Sequence, residues 1–222
     1  MNKKILISIL SLAHHPYNKL EKAIRNTWGS IIDKDVEIIY YYGNSKEIKL
    51  VGDKLFLNHP EGLYNIGHKT LKMYEFILQN FKFDYLFRTN SSSYIDVEKL
   101  KLFISDKSLE KFYSGIIGDY AGIKFVSGSG YFLSRDLIKL VVDNKNKWNH
   151  TLIDDVALGD LLSKYNIPLY LGERIDLKTP TIDSIPSSYH YRVKCRKFLM
   201  GNASGDIKLL RKIHKLKNAN KS

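Results

Sequence analysis

The segment Lys4-Ile5-Leu6-Ile7-Ser8-Ile9-Leu10 decides the fold. It is an apolar, β-branched run with almost no polar alternation. Such a run suits a strand covered on both faces, as in a parallel sheet flanked by helices. With Met1–Lys4 ahead of it, the run also imitates a secretion signal. Its apolar length of about nine residues falls far short of the ~20 that cross a bilayer. His14-His15-Pro16-Tyr17 then follows where a small-residue cleavage site would be. The segment is therefore read as a buried first strand.

Outward from it, strand and helix signals alternate. Val36–Tyr41 and the short Lys54–Leu57 read as strands, and Lys19–Trp28 as a helix. Leu63, Ile66, Leu71, Tyr74, Ile77 and Leu78 recur at helical spacing, which predicts a helix over 63–78. Phe83–Phe87 reads as a central strand running into a loop, Arg88–Ser93. Beyond it come a helix at Val97–Ile104, a strand at Phe112–Ile117, and a strand at Lys124–Leu133 broken at Ser127–Gly130. A helix at Arg135–Val142 capped by Ser134, a helix at Asp154–Tyr165 and a strand at Ile167–Leu171 complete the body. The order predicts an α/β fold: one domain over 1–203, a Rossmann-like mixed sheet flanked by helices, followed by a basic amphipathic helix over 204–222. Ligands in such sheets sit at the carboxyl ends of strands. That singles out Ser11–Pro16, Arg88–Ser93 and the turn before Asp154.

The 222 residues are 44 % hydrophobic, enough for a sizeable core, so a disordered chain is excluded. The single cysteine, Cys195, excludes an internal disulfide and fits a reducing compartment. The net charge is +12, but between Arg192 and Ser222 ten Lys and Arg stand against one acid, Asp206. The body is thus nearly balanced, which argues against nucleic acid as its ligand. The tail carries Leu209, Leu210, Ile213 and Leu216 on one side. Such a helix docks on its own domain or lies on an anionic membrane. The expected location is cytoplasmic, with docking of the tail on its own domain favoured and peripheral membrane contact through it as the alternative.

Four blocks carry a resemblance. Ala23-Ile24-Arg25-Asn26-Thr27-Trp28-Gly29, Tyr64-Asn65-Ile66-Gly67-His68-Lys69-Thr70, Val126-Ser127-Gly128-Ser129-Gly130-Tyr131-Phe132-Leu133-Ser134 and Ile153-Asp154-Asp155-Val156-Ala157-Leu158-Gly159 occur in that order. They resemble the motifs of the beta-1,3-galactosyltransferase/Fringe family, over roughly residues 4–195. The resemblance implies a GT-A-like fold, a nucleotide-sugar donor, a glycan or glycolipid acceptor, and inverting transfer. The family's metal-binding Asp-Asp-Asp aligns with Asn90-Ser91-Ser92, where all three carboxylates are gone. Hard cations want carboxylate oxygens. No metal is therefore assigned; Mn²⁺ or Mg²⁺, if used, is expected to be held weakly, by the donor diphosphate with Asn90 and His190.

Further expectations follow from the resemblance. Asp155 takes the position of the base that accepts the acceptor's proton, with Asp154 beside it to orient the acceptor. A helix N-terminus rich in acids would also need no catalytic role. His190 matches the family's C-terminal histidine. It lies in Tyr189-His190-Tyr191-Arg192-Val193-Lys194-Cys195-Arg196-Lys197, where Arg192 and Lys194 are expected to face the leaving diphosphate; a solvated basic surface is the plain alternative. Ser11, Ala13 and His14 are expected near the nucleoside. Arg25 would brace that loop, and Lys69 and Arg88 would reach phosphate. Ser127, Gly128, Ser129 and Gly130 would line the donor sugar or the acceptor, since glycine lets backbone approach a ligand. Two other functions remain open: a catalytically inactive relative that binds nucleotide-sugar or glycan, and an RNA- or membrane-associated structural protein.

Overall fold

A computed structural model describes residues 2–195 and 203–219. Its elements in chain order are β1 (Ile5–Leu10), α1 (Tyr17–Arg25), β2 (Val36–Tyr42), β3 (Lys49–Val51), β4 (Lys54–Phe56), α2 (Ile66–Asn80), β5 (Tyr85–Asn90), β6 (Ser93–Ile95) and α3 (Val97–Ile104). Then follow β7 (Tyr113–Tyr120), β8 (Ile123–Ser134), α4 (Arg135–Asp143), α5 (Asp154–Ser163), β9 (Leu169–Leu171), β10 (Ile175–Leu177), β11 (His190–Val193) and α6 (Ser204–Ala219). The main sheet has eight strands in the order β3-β4-β2-β1-β5-β8-β7-β9, and a small sheet has the order β10-β11-β6. This is the mixed α/β, GT-A-like architecture expected from the sequence.

β1 lies between β2 and β5, parallel to both, with Ile5 opposite Val36 and Tyr85. Ile5, Ile7 and Ile9 enter the core shared with α1, α3 and α6, while Leu6 enters the opposite core with α2, α4 and α5. Burial on both faces is why the run carries no polar alternation. β1 and β5 are adjacent and parallel, so their carboxyl ends lie side by side at the edge where such sheets bind ligands.

Several boundaries differ from expectation. Arg88–Ser93 is not a loop: β5 continues in register with β1 to Asn90 and with β8 through Thr89, so only Ser91 and Ser92 separate it from β6. β8 is one strand over Ile123–Ser134, but its ladder with β7 is interrupted at Ser127–Gly130 as expected: Gly115 pairs with Tyr131 and Ile117 with Val126, so these four residues bulge opposite Ile116 alone. The Ser134 hydroxyl accepts from the Phe112 N–H at 3.0 Å instead of capping α4. His190–Val193 is no solvated surface but the central strand of the small sheet, with His190, Tyr191 and Val193 buried. Arg196 and Lys197 lie outside the described residues.

Helix α6 spends its apolar stripe on its own domain. Leu209, Leu210 and Ile213 are fully buried in the core with α1, and Lys217 Nζ reaches Asp96 Oδ2 at 2.8 Å. Lys208, Arg211 and Lys215 remain outside. Leu209→Ala and Ile213→Ala are each expected to cost about 2–5 kcal/mol by lost burial plus cavity. Urea unfolding checks this as a lower midpoint at unchanged slope.

Candidate active site

Six of the residues singled out by sequence, Arg88, Gly128, Gly130, Asp154, Asp155 and His190, gather around one stretch of β8. The Gly128 N–H donates to Asp155 Oδ2 at 2.7 Å, and the Gly128 carbonyl accepts from Arg88 Nη1. A Cβ at Gly128 would stand 2.9 Å from Arg88 Nη1 and 3.1 Å from Asp155 Oδ2, so a larger residue would push the strand off the acid. At Gly130 a Cβ would come within 2.5 Å of the His190 ring. These glycines permit close packing of side chains onto the strand.

The two acids at the start of α5 are not equivalent. Asp154 is buried and pairs with Arg88 Nη2 at 2.7 Å. Burial pushes its carboxyl up, and Arg88 opposes that push. Arg88 is itself buried in β5. Its Nε donates to the Tyr41 hydroxyl at 3.0 Å, so all three guanidinium nitrogens are engaged inside the protein. Burial works against its charge, but Tyr41 and Asp154 hold the group above its ordinary value. Arg88 thus does not reach out to a phosphate; it fixes Asp154 and β8. Asp155 is only half-buried, and its second oxygen accepts from the Val156 N–H at 3.0 Å. It is the acid of the pair that faces outward.

His190 is buried on β11, with Nε2 2.9 Å from Ser93 Oγ and its ring edge-on to Phe87. Burial, then Arg174 and Arg192, push it down to about 3. The imidazole is therefore neutral when folded, and it protonates near its ordinary 6.5 only when unfolded. Between those values the unfolded chain binds the extra proton, so His190 stability is lost as pH falls from 6.5 toward 3. The thermal midpoint of the wild type should drop more steeply from pH 7 to pH 4 than that of His190→Gln.

The Asn90–Ser92 turn is neutral and folds on itself, with Asn90 Oδ1 accepting from the Ser92 N–H at 3.0 Å. Its amide and hydroxyls, with a His190 nitrogen engaged by Ser93, are a poor donor set for Mn²⁺ or Mg²⁺. Among the described residues no three His, Cys, Asp or Glu side chains are grouped to hold a metal.

The other candidates are spread along the carboxyl edge. Ser11, at the end of β1, donates to buried Glu21 at 2.8 Å; Glu21 also accepts from Arg25 Nε at 2.9 Å. Arg25 continues to Asp53 at 2.6 Å, tying the first loop to the β3–β4 turn. Ala13 and His14 are exposed on that loop. Lys69 is no exposed helical lysine: it is buried and pairs with Glu61, which also accepts from the Gly43 N–H at the end of β2. Lys194 is exposed just past the end of β11.

Arg174 is a participant that sequence reasoning missed. Its Nη1 donates to Ser127 Oγ at 3.1 Å and Ser129 Oγ at 2.7 Å, and its Nε to Asp176 Oδ1 at 2.6 Å. The alternation Arg174-Ile175-Asp176-Leu177 is the signal that could have found it. Period two places both charges on one face of a short strand and both aliphatics on the other.

A family profile described as Galactosyltransferase matches residues 116–171. That span holds Ser127–Gly130 and Asp154–Asp155 but neither the Asn90–Ser92 turn nor His190. A UDP-GalNAc:beta-1,3-N-acetylgalactosaminyltransferase 2 from Xenopus laevis is 22 % identical over 141 residues, 55 % of this chain and 29 % of the relative. Its Homo sapiens counterpart is 24 % identical over 153 residues, 58 % of this chain and 31 % of the relative. The chain thus matches less than a third of the length of these curated relatives. Together the likenesses support a glycosyltransferase, and the profile match falls on the strand and helix that carry Gly128 and Asp155.

Proposed function

We propose that this protein is an inverting glycosyltransferase that moves a sugar from a UDP-sugar to a hydroxyl of a glycan or glycolipid. The observation that carries this reading is the half-buried Asp155 carboxylate, oriented by the Gly128 and Val156 N–H groups, beside an acid whose charge Arg88 already balances. In the reaction the acceptor oxygen attacks the anomeric carbon from the face opposite the phosphate. Its proton passes to Asp155 as the new C–O bond forms. The bond from the anomeric carbon to the phosphate oxygen breaks, and UDP leaves with the electron pair. A leaving diphosphate needs positive charge around it, and beside a neutral Asn90–Ser92 turn we give that task to protein cations.

The test is calorimetry with UDP followed by an assay of UDP release from UDP-sugars with and without acceptor, in EDTA and in Mn²⁺. Binding with acceptor-dependent release supports the enzyme. Binding with no turnover under either condition turns the reading into that of a non-catalytic nucleotide-sugar binder.

A further inference from the structure

The small sheet has a feature that the transfer reaction as written does not use. In β11, Arg192 lies in register between Asp176 of β10 and Ser93 of β6, next to the Asn90–Ser92 turn. Its Nη1 is 4.0 Å from Asp176 Oδ2, the same carboxylate that receives Arg174 Nε. Two guanidinium groups therefore share one carboxylate. Arg174 in addition reaches the two hydroxyls that flank Gly128, the residue whose N–H holds Asp155. Both side chains are mostly covered, at 13 % and 28 % exposure, so water screens their repulsion poorly. Burial, and then Arg174 facing it, pull Arg192 below its ordinary value, which marks a place short of negative charge.

We propose that Arg174 and Arg192 form the subsite for the diphosphate of the nucleotide donor, doing together what a divalent cation would do at a carboxylate turn. The subsite rests on the glycosyltransferase reading above and names the anion-binding residues of that same site. Guanidinium forks match phosphate oxygens two at a time, and charge-assisted bonds of this kind are the strong ones. Ser127 and Ser129 hold Arg174 Nη1 and Asp176 holds Nε, whereas Nη2 meets Asp176 Oδ2 only at 3.4 Å and, unlike the fully enclosed nitrogens of Arg88, is the arm free to turn to a phosphate oxygen.

The experiment compares UDP with uridine, which lacks the phosphates, by calorimetry in EDTA on the full chain. For the wild type, UDP affinity is expected to be the same when Mn²⁺ replaces EDTA. Arg174→Gln and Arg192→Gln should each weaken UDP by roughly tenfold and the double variant by roughly a hundredfold, while uridine binding is unchanged. Arg174→Lys keeps the charge and loses the fork. Should the Gln variants fail to fold, as judged by loss of a cooperative thermal transition, the same UDP-against-uridine comparison on Arg174→Lys decides, with a selective loss for UDP expected. Variants that hold UDP as tightly as the wild type, or a wild type whose UDP binding vanishes in EDTA and returns with Mn²⁺, overturn the proposal. A wild type that binds neither UDP nor uridine in either buffer overturns the glycosyltransferase reading on which it stands.

Discussion

Asp155→Asn should lower sugar transfer by about a thousandfold, within the ~10²–10⁴ range of a general base, while leaving UDP affinity essentially unchanged. The change is isosteric, and an Asn oxygen still accepts from the Gly128 N–H now 2.7 Å from Asp155 Oδ2. The strand and the glycine contact remain, while the local Val156 N–H bond at the helix start is given up because an amide has one oxygen. What disappears is the one oxygen able to take the acceptor's proton. The loss should therefore fall in kcat, not in donor KM. Asp154→Asn offers the contrast. It leaves the buried Arg88 charge short of its partner and should show mainly as lower stability. Equal turnover in Asp155→Asn would remove this residue from the chemistry. A loss of UDP affinity as large as the loss of rate would make it a structural support.

The same acids show what the sequence could and could not disclose. Strand β1 was legible because burial on both faces leaves an apolar run with no alternation, and α2 because its stripe repeats over four turns. Strands β3, β6, β10 and β11 have three or four residues each, too few to show a period, and they exist because neighbours supply their hydrogen bonds. Arg174 was missed because the period-two alternation of Arg174–Leu177 lasts only four residues and does not stand out from the irregular stretch around it. Arg88 was misleading for another: beside a polar loop it looks like a phosphate ligand, but pairing of β5 with β1 and β8 carries it into the interior. Asp154 and Asp155 are the same residue type, one position apart. Adjacent residues on a helix point to different sides, and the packing of α5 on β8 turns one inward and leaves the other half-exposed.

The buried pair leads to the second large effect. Arg88→Met is expected to cost about 3–5 kcal/mol, the usual consequence of removing one partner of a buried ion pair. Asp154 would then sit uncompensated in the field of Tyr41 and Tyr131, whose hydroxyl is already bonded to that of Tyr74 at 2.6 Å. Replacing both partners, as Arg88→Met with Asp154→Leu, should recover much of the loss, because an apolar pair carries no desolvation penalty. The pH dependence identifies the cause. Burial already pushes the Asp154 carboxyl up, and removing Arg88 removes the contact that opposes it. Its folded value then lies further above the unfolded one, so the native variant binds more protons than the unfolded chain. Such a group adds stability below its unfolded value, and that stability is lost as pH rises through the folded value. The penalty of Arg88→Met, read from urea midpoints, should accordingly be smaller at pH 4.5 than at pH 7.5, and the double variant should show no such difference. A penalty that is the same at both pH values would assign the loss to the Tyr41 and Gly128 hydrogen bonds of Arg88 instead of to the stranded charge.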